Sequence, residues 1–314
     1  LAKIAVELKE ALKQRALLGW PGQTTARVIA EGEGWSVGDI VCTSGPGDRP
    51  FEERHSRISM AIVVAGTFQY RSGAGLELMS PGCLLLGNPG QIFECGHQHG
   101  CGDRCISFSF DPDYLGAEFK TLRVPPLREL SPLVARTCAG LTGASDTPWE
   151  ALGLQLAGEA LRLTGVPMNA PHSALARVTR AVRAIEHGLR SELSLPALAR
   201  EARLSPYHFL RIFQQITGVT PHQYVLRMRL REAARRLAAE RAKILDIALD
   251  CGFNDASSFN RAFRSEFGAS PSAYRLLHGP FNSRRGAGRG GRVDSRAISG
   301  EVPGSPQTGD IRSE

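Results

Sequence analysis

The chain has 314 residues, 42% of them hydrophobic, which allows one to three domains with ordinary cores. No apolar run is long enough for a membrane-spanning helix, and seven cysteines scattered over so long a chain do not make a disulfide scaffold. The net charge of +7 is lopsided: residues 1–170 carry 15 Lys and Arg against 18 Asp and Glu, whereas residues 171–314 carry 23 against 13. The imbalance predicts a polyanion-binding module at the C-terminal end joined to something else, in a cytoplasmic protein with reduced thiols.

The first stretch, "LAKIAVELKEALKQRALLG", has no continuous apolar centre and no small-residue cleavage site, so it does not read as a signal peptide. Ile4, Leu8 and Leu12 share one face of an amphipathic helix. Residues 35–110 read mainly as β. "DIVCTS", "RISMAIVVAGTFQYR", "LELMS", "CLLLG" and "CISFSF" are short apolar or alternating runs, punctuated by "SGPGDRP", "RSGAG", "SPG" and "GNPGQ". Strands this short and this close suggest a small barrel or sandwich.

Within that region "ECGHQHGCGDRCISF" puts Cys95, His97, His99, Cys101 and Cys105 in one loop. Three readings stand side by side. These donors are a candidate zinc set, although the spacing matches no standard finger. Cys101 and Cys105 are a candidate redox pair, with Arg104 lowering a thiol pKa. Or the loop is structural and its cysteines are small buried fillers.

After Pro112 the pattern turns helical. "SPLVARTCAGL" is one candidate; in "PWEALGLQLAGEALRLTG", Leu152, Leu156, Ala160 and Leu163 form a stripe. That stripe suits either packing on the chain's own barrel or dimerisation. "TGVPMNAPHS" reads as a linker ending at a cap, Ser173. From 174 to 279 nearly everything is helical, with Leu175, Val178, Val182, Ile185 and Leu189 at helical spacing. Two short helices joined by a tight turn near Arg203–Ser205 come first, with Ser205 as cap and Pro206 at the first helical position. A longer helix follows from about Pro221 to Ala239. A second short pair comes next, with Gly252 in the turn and Asp255 as cap. Residues 280–314 are rich in Gly, Ser and Arg and cannot offset their ordering entropy by burial, which predicts a disordered tail.

Each short pair is a candidate helix-turn-helix, whose second helix suits a major groove about 12 Å wide. In the first, Phe209, Ile212, Phe213 and Ile216 face inward, while Tyr207, Leu210, Arg211 and Gln214 face outward. In the second, Phe259, Phe263 and Phe267 are buried at a spacing of four. Ala256, Ser257 and Ser258 keep the start of that helix low beside Arg261, so its backbone can approach base edges. The long helix, ~28 Å at 1.5 Å per residue, nearly matches a duplex turn of ~34 Å. It is therefore able to hold both readers in successive grooves on one face of DNA.

"LSPYHFLRIFQQITGVTPHQYV", "RLREAARRL" and "ILDIALDCGFNDASSFNRAFRSEFGASPSAYR" resemble the DNA-binding domain of the AraC/XylS family of transcription regulators. The match covers Ile247-Ala248, Gly252-Phe253, Phe259, Arg261, Phe263, Gly268, Pro271 and Tyr274-Arg275. Arg203 departs from it, standing where the first turn often has glycine; a positive φ there would cost about 1–2 kcal/mol. The resemblance implies base contacts at Tyr207, Leu210, Arg211, Ala256, Ser257, Ser258 and Arg261. It also implies double-stranded DNA and RNA polymerase as partners, an effector, a homodimer, and no enzymatic activity.

"RHSRISMAIVVAGTFQYRSGAGLELMSPGCLLLGNPGQ" resembles a cupin-like barrel of the kind that often precedes this domain. The expected fold is thus α+β and multidomain: a cupin-like β-barrel with dimerisation helices over 1–165, a linker over 166–173, an all-α double helix-turn-helix domain over 174–279, and a tail. A cupin-type metalloenzyme, or a metal- or redox-binding protein on a nucleic-acid anchor, is the alternative. Enzymatic cupins use a His-x-His pair, and here it reads His55-Ser56-Arg57, without the second histidine.

Overall fold

The computed structural model describes residues 4–98, 102–141, 147–163, 172–190 and 193–279. An N-terminal helix, α1 (Ile4–Leu18), precedes nine strands that supply two facing antiparallel sheets. These are β1 (Thr24–Gly32), β2 (Trp35–Cys42), β3 (Phe51–Arg54), β4 (Ile58–Gly66), β5 (Phe68–Ser72), β6 (Gly75–Met79), β7 (Leu84–Gly87), β8 (Ile92–Gly96) and β9 (Asp103–Phe110). A two-residue strand, β10 (Arg123–Val124), closes the larger sheet, whose order is β1-β2-β9-β4-β7-β10. The smaller sheet runs β3-β8-β5-β6. Apart from the β5–β6 hairpin, strands two to nine therefore alternate between sheets, in the double Greek-key order of a jelly roll, the cupin-like architecture expected.

Alternation along the strands separates two cores. On β4, Ile58, Met60 and Ile62 face outward to helices, while Ala61 and Val63 face the smaller sheet. On β9, Ile106, Phe108 and Phe110 take the outer face, and Cys105 the inner one. Phe68, Tyr70, Met79 and Phe93 complete the inner core. The β region begins at Thr24, ahead of the expected Trp35, because β1 is an edge strand with nearly every side chain exposed and so lacks an apolar alternation.

A short helix, α2 (Pro112–Leu115), leads to α3 (Ser131–Leu141) and α4 (Trp149–Arg162). The α4 stripe settles its first question: Leu152, Leu156 and Ala160 pack on Phe108, Phe110 and Met60, the chain's own barrel.

Seven helices follow: α5 (His172–His187), α6 (Leu195–Glu201), α7 (Pro206–Thr217), α8 (Pro221–Ala239), α9 (Ile244–Asp250), α10 (Ala256–Phe267) and α11 (Pro271–His278). Because α5 starts at His172, Ser173 lies inside its first turn and does not cap it. Most of the expected linker and all of the expected tail from 280 lie outside the described residues. The helical half has two cores strung on α8. Tyr224 and Val225 join Leu175, Val178, Val182, Ile185, Phe209, Phe213 and Ile216. Leu230, Ala233, Ala234 and Leu237 join Ile247, Ala248, Phe259, Phe263 and Tyr274. The barrel half enters both, through Leu78 in the first and Ala135 in the second.

Candidate nucleic-acid interface

The first helix pair is built by local chemistry. Ser194 and Ser205 cap α6 and α7, accepting from the Ala197 and His208 amides, and each helix has a proline in its first two positions, Pro196 and Pro206. The turn between them puts Arg203 at φ 55°, left-handed backbone without a glycine. Its carbonyl accepts from Arg177 Nη1 at 2.7 Å, which helps to hold the turn. Phe209, Phe213 and Ile216 are wholly buried. Tyr207 is 70% exposed, large for an aromatic side chain, and Arg211 and Gln214 are exposed beside it. Leu210 is half-buried and lines a groove whose far wall is Leu249 and Phe253 of the second unit.

In the second pair Gly252 takes φ 87°, and a Cβ there would lie 2.6 Å from the Leu189 carbonyl oxygen, so the turn needs glycine. Asp255 caps α10, accepting from the Ser258 amide at 2.8 Å. That N–H and the Ser258 hydroxyl, which donates to Asp255 Oδ2 at 2.9 Å, hold the Asp255 carboxyl below the usual carboxylate range. Ser258 is thus engaged in the cap and half-buried, while Ala256, Ser257, Asn260, Arg261 and Arg264 are exposed. Phe259 and Phe263 are buried as expected; Phe267, the last residue of α10, is only half-buried.

The helix between them, α8, starts with a reciprocal capping box of Thr220 and Gln223 and runs unbroken for 19 residues. The barrel grips the other ends of both recognition helices. Arg123 donates to the carbonyls of Ile216 at 3.0 Å and Thr217 at 3.2 Å, at the C-terminus of α7. Ser131 donates to Glu266, near the C-terminus of α10, and Arg227 pairs with the same carboxylate at 3.4 Å. Every exposed candidate contact lies instead in the N-terminal half of its helix.

The cysteine and histidine set is arranged differently from the single loop expected. Cys95 lies on β8 and Cys105 on β9, both buried between the sheets; His99 and Cys101 lie outside the described residues. His97 Nε2 is 2.6 Å from Asp103 Oδ2, and both side chains are buried. Cys42 on β2 completes the group, because the register pairs Cys42 with Asp103 and so puts both side chains on one face. Sequence reading missed Cys42 and Asp103; the only signal for them was a cysteine at the end of one apolar run and an acid at the start of another.

Burial opposes charge on His97, yet hydrogen bonding to Asp103 and Cys42 outweighs it and holds the imidazole up to about 9. Burial likewise raises Cys42, but the contact with His97 brings that thiol below its ordinary value. Burial and the Asp103 carboxylate push Cys105 well up. The expected activation by Arg104 fails: Arg104 sits on the opposite face of β9, with Nε and Nη2 donating to Asp39 at 2.8 and 2.6 Å. The residues at the usual cupin position do not fit a metal. His55 Nε2 is 2.8 Å from the Tyr70 hydroxyl, its ring stacks on Phe93, and desolvation lowers it to about 4.

A jelly roll followed by two capped helix-turn-helix units on one connecting helix defines a two-headed DNA-binding class of protein. A helix-turn-helix domain family matches residues 198–276. The chain is 45% identical over 94 residues to the probable transcriptional regulator LumQ of Photobacterium leiognathi, which covers 30% of this chain and 38% of that one. It is 36% identical over 98 residues to the transcriptional activator AarP of Providencia stuartii, covering 31% of this chain and 73% of AarP. The DNA-binding domain of AdpA, solved in complex with a target DNA, is 31% identical over 36% of this chain and 98% of its own, with a TM-score of 0.32. The chain belongs to the AraC family of helix-turn-helix regulators. It spans well under half the length of LumQ. No helix among the described residues is long and apolar enough to cross a membrane.

Proposed function

We propose that the chain is a sequence-specific DNA-binding transcription regulator that reads two successive major grooves, without enzymatic activity of its own. The observation that carries this is the polarity of the two recognition helices. Their N-terminal halves carry the exposed candidate contacts, with one exposed arginine in each, and their C-terminal ends are held from the barrel half. Base readout falls to Tyr207, Arg211, Ala256, Ser257 and Arg261. Leu210 reaches a thymine methyl from the rim of its groove, and Ser258 acts mainly by holding the helix start. The barrel half, over residues 1–165, is the sensor for an effector and the dimerisation unit. AarP is named a transcriptional activator, and activation through RNA polymerase is the mode proposed for this chain. The environment of His55 supports the regulator over the metalloenzyme.

Selection of bound sequences from a random pool, followed by titration of Arg211→Ala on the selected site and on random DNA, tests the reading. A lost bidentate guanine contact costs about 1–3 kcal/mol on the selected site and relaxes one base position. Equal loss on both DNAs reduces Arg211 to a phosphate contact, and failure to enrich any sequence overturns the proposal.

A further inference from the structure

We propose that Cys42, His97 and Asp103 form a zinc site at one end of the barrel interior. Their donor atoms all lie within 4.8 Å of one another, and all three residues are buried. A thiolate, an imidazole and a carboxylate are the donor types zinc takes, and three protein ligands leave one tetrahedral position for a further donor. This inference stands on the barrel alone and does not depend on the DNA reading.

Two observations go beyond proximity. First, the frame is preorganised. Cys42 and Asp103 are cross-strand partners, and just beyond them the Gly102 amide donates to the Ser44 carbonyl at 2.8 Å. Second, the carboxylate is already supported from behind, since the Cys105 thiol donates to Asp103 Oδ1 at 3.3 Å. Outer partners of this kind orient metal-bound carboxylates.

The fit requires little movement. With zinc about 2.0–2.1 Å from nitrogen and 2.0–2.2 Å from oxygen, tetrahedral geometry separates the two donors by about 3.4 Å. The present 2.6 Å between His97 and Asp103 must therefore open by under an ångström. Cys95, on β8 of the other sheet, is buried nearby but falls outside the group of mutually close donor atoms and is not assigned to the site.

The test uses the full chain, stripped of metal and titrated first with zinc against a chromophoric chelator and then with cobalt. One metal per chain is expected, with a thiolate-to-cobalt charge-transfer band and tetrahedral ligand-field bands. Cys42→Ser, His97→Gln and Asp103→Asn should each weaken zinc by more than about 100-fold, beyond the usual cost of losing an outer partner. Cys138→Ser, outside the cluster, should bind as the parent does. No metal uptake, a cobalt spectrum without thiolate charge transfer, or uptake unchanged in Cys42→Ser and His97→Gln each overturns the site. The cobalt spectrum is read on the parent chain, so it decides the matter even if a variant fails to fold.

Discussion

Replacing Arg123 by alanine tests whether the barrel and the first recognition helix are one cooperative unit. Arg123, on β10 of the larger sheet, is 5% exposed, and its Nε donates at 2.9 Å to Oε2 of Glu77 on β6, an edge strand of the smaller sheet. Its other nitrogens reach the Ile216 and Thr217 carbonyls, end groups of α7 that have no partner within that helix. The variant removes a buried counter-charge and two donors together. Breaking a buried pair from one side costs about 3–5 kcal/mol, much of it the penalty on the group left behind. The double variant Arg123→Met/Glu77→Leu removes both charges and should recover at least half of that loss.

Urea unfolding of the full chain reads both effects. All three tryptophans, Trp20, Trp35 and Trp149, lie in the barrel half, so fluorescence follows that half while far-ultraviolet dichroism is weighted to the helices. The two probes should coincide in the parent and separate in Arg123→Ala, because the shared core then loses its polar clamp. A loss below about 1 kcal/mol, or strictly additive single variants, refutes the clamp.

Three further outcomes are expected. Ala233→Pro falls in the fully buried core of the second unit, where a helix-interior proline costs ~3 kcal/mol or more; the DNase footprint should shrink to the part read by α7, and an unchanged footprint and affinity would refute α8 as the spacer. Arg203→Gly relieves left-handed backbone worth about 1–2 kcal/mol, offset by glycine's extra unfolded-state entropy of about 0.5–1; thermal unfolding should show a small gain, and a loss would mean the turn is not strained. His55 is held neutral in the folded state, with its value lowered to about 4 from 6.5. Between those values the unfolded chain binds the extra proton, so stability should fall as pH drops from about 6.5 towards 4. His55→Gln should flatten that limb of the pH profile, and an equally steep limb in the variant would assign the acid sensitivity elsewhere.

The helical half was largely legible from sequence because its determinants are local. Ser205, Thr220, Asp255 and Ser270 each accept a hydrogen bond from an amide three residues on, and a phenylalanine every four residues marks the buried face of α10. Such signals survive without knowledge of any distant contact. The barrel was legible only in its central strands, where apolar alternation is strong. The exposed edge strand β1, the four-residue β3 and the two-residue β10 carry too few buried side chains to announce themselves.

What only the tertiary structure decided is everything that depends on pairing across the chain. Cys42 meets Asp103 because β2 and β9 are hydrogen-bonded in that register, and a slip of one residue would turn one of them to the outer face. The same pleat separates Arg104 from Cys105, although the two are neighbours in sequence, and so removes the redox activation that adjacency had suggested. Arg123 finds the end of α7 some 93 residues later because Leu76 and Leu78 dock the smaller sheet on the first helical core. Sequence periodicity records which face of an element is buried; it does not record against what, and these sites are made by that second choice.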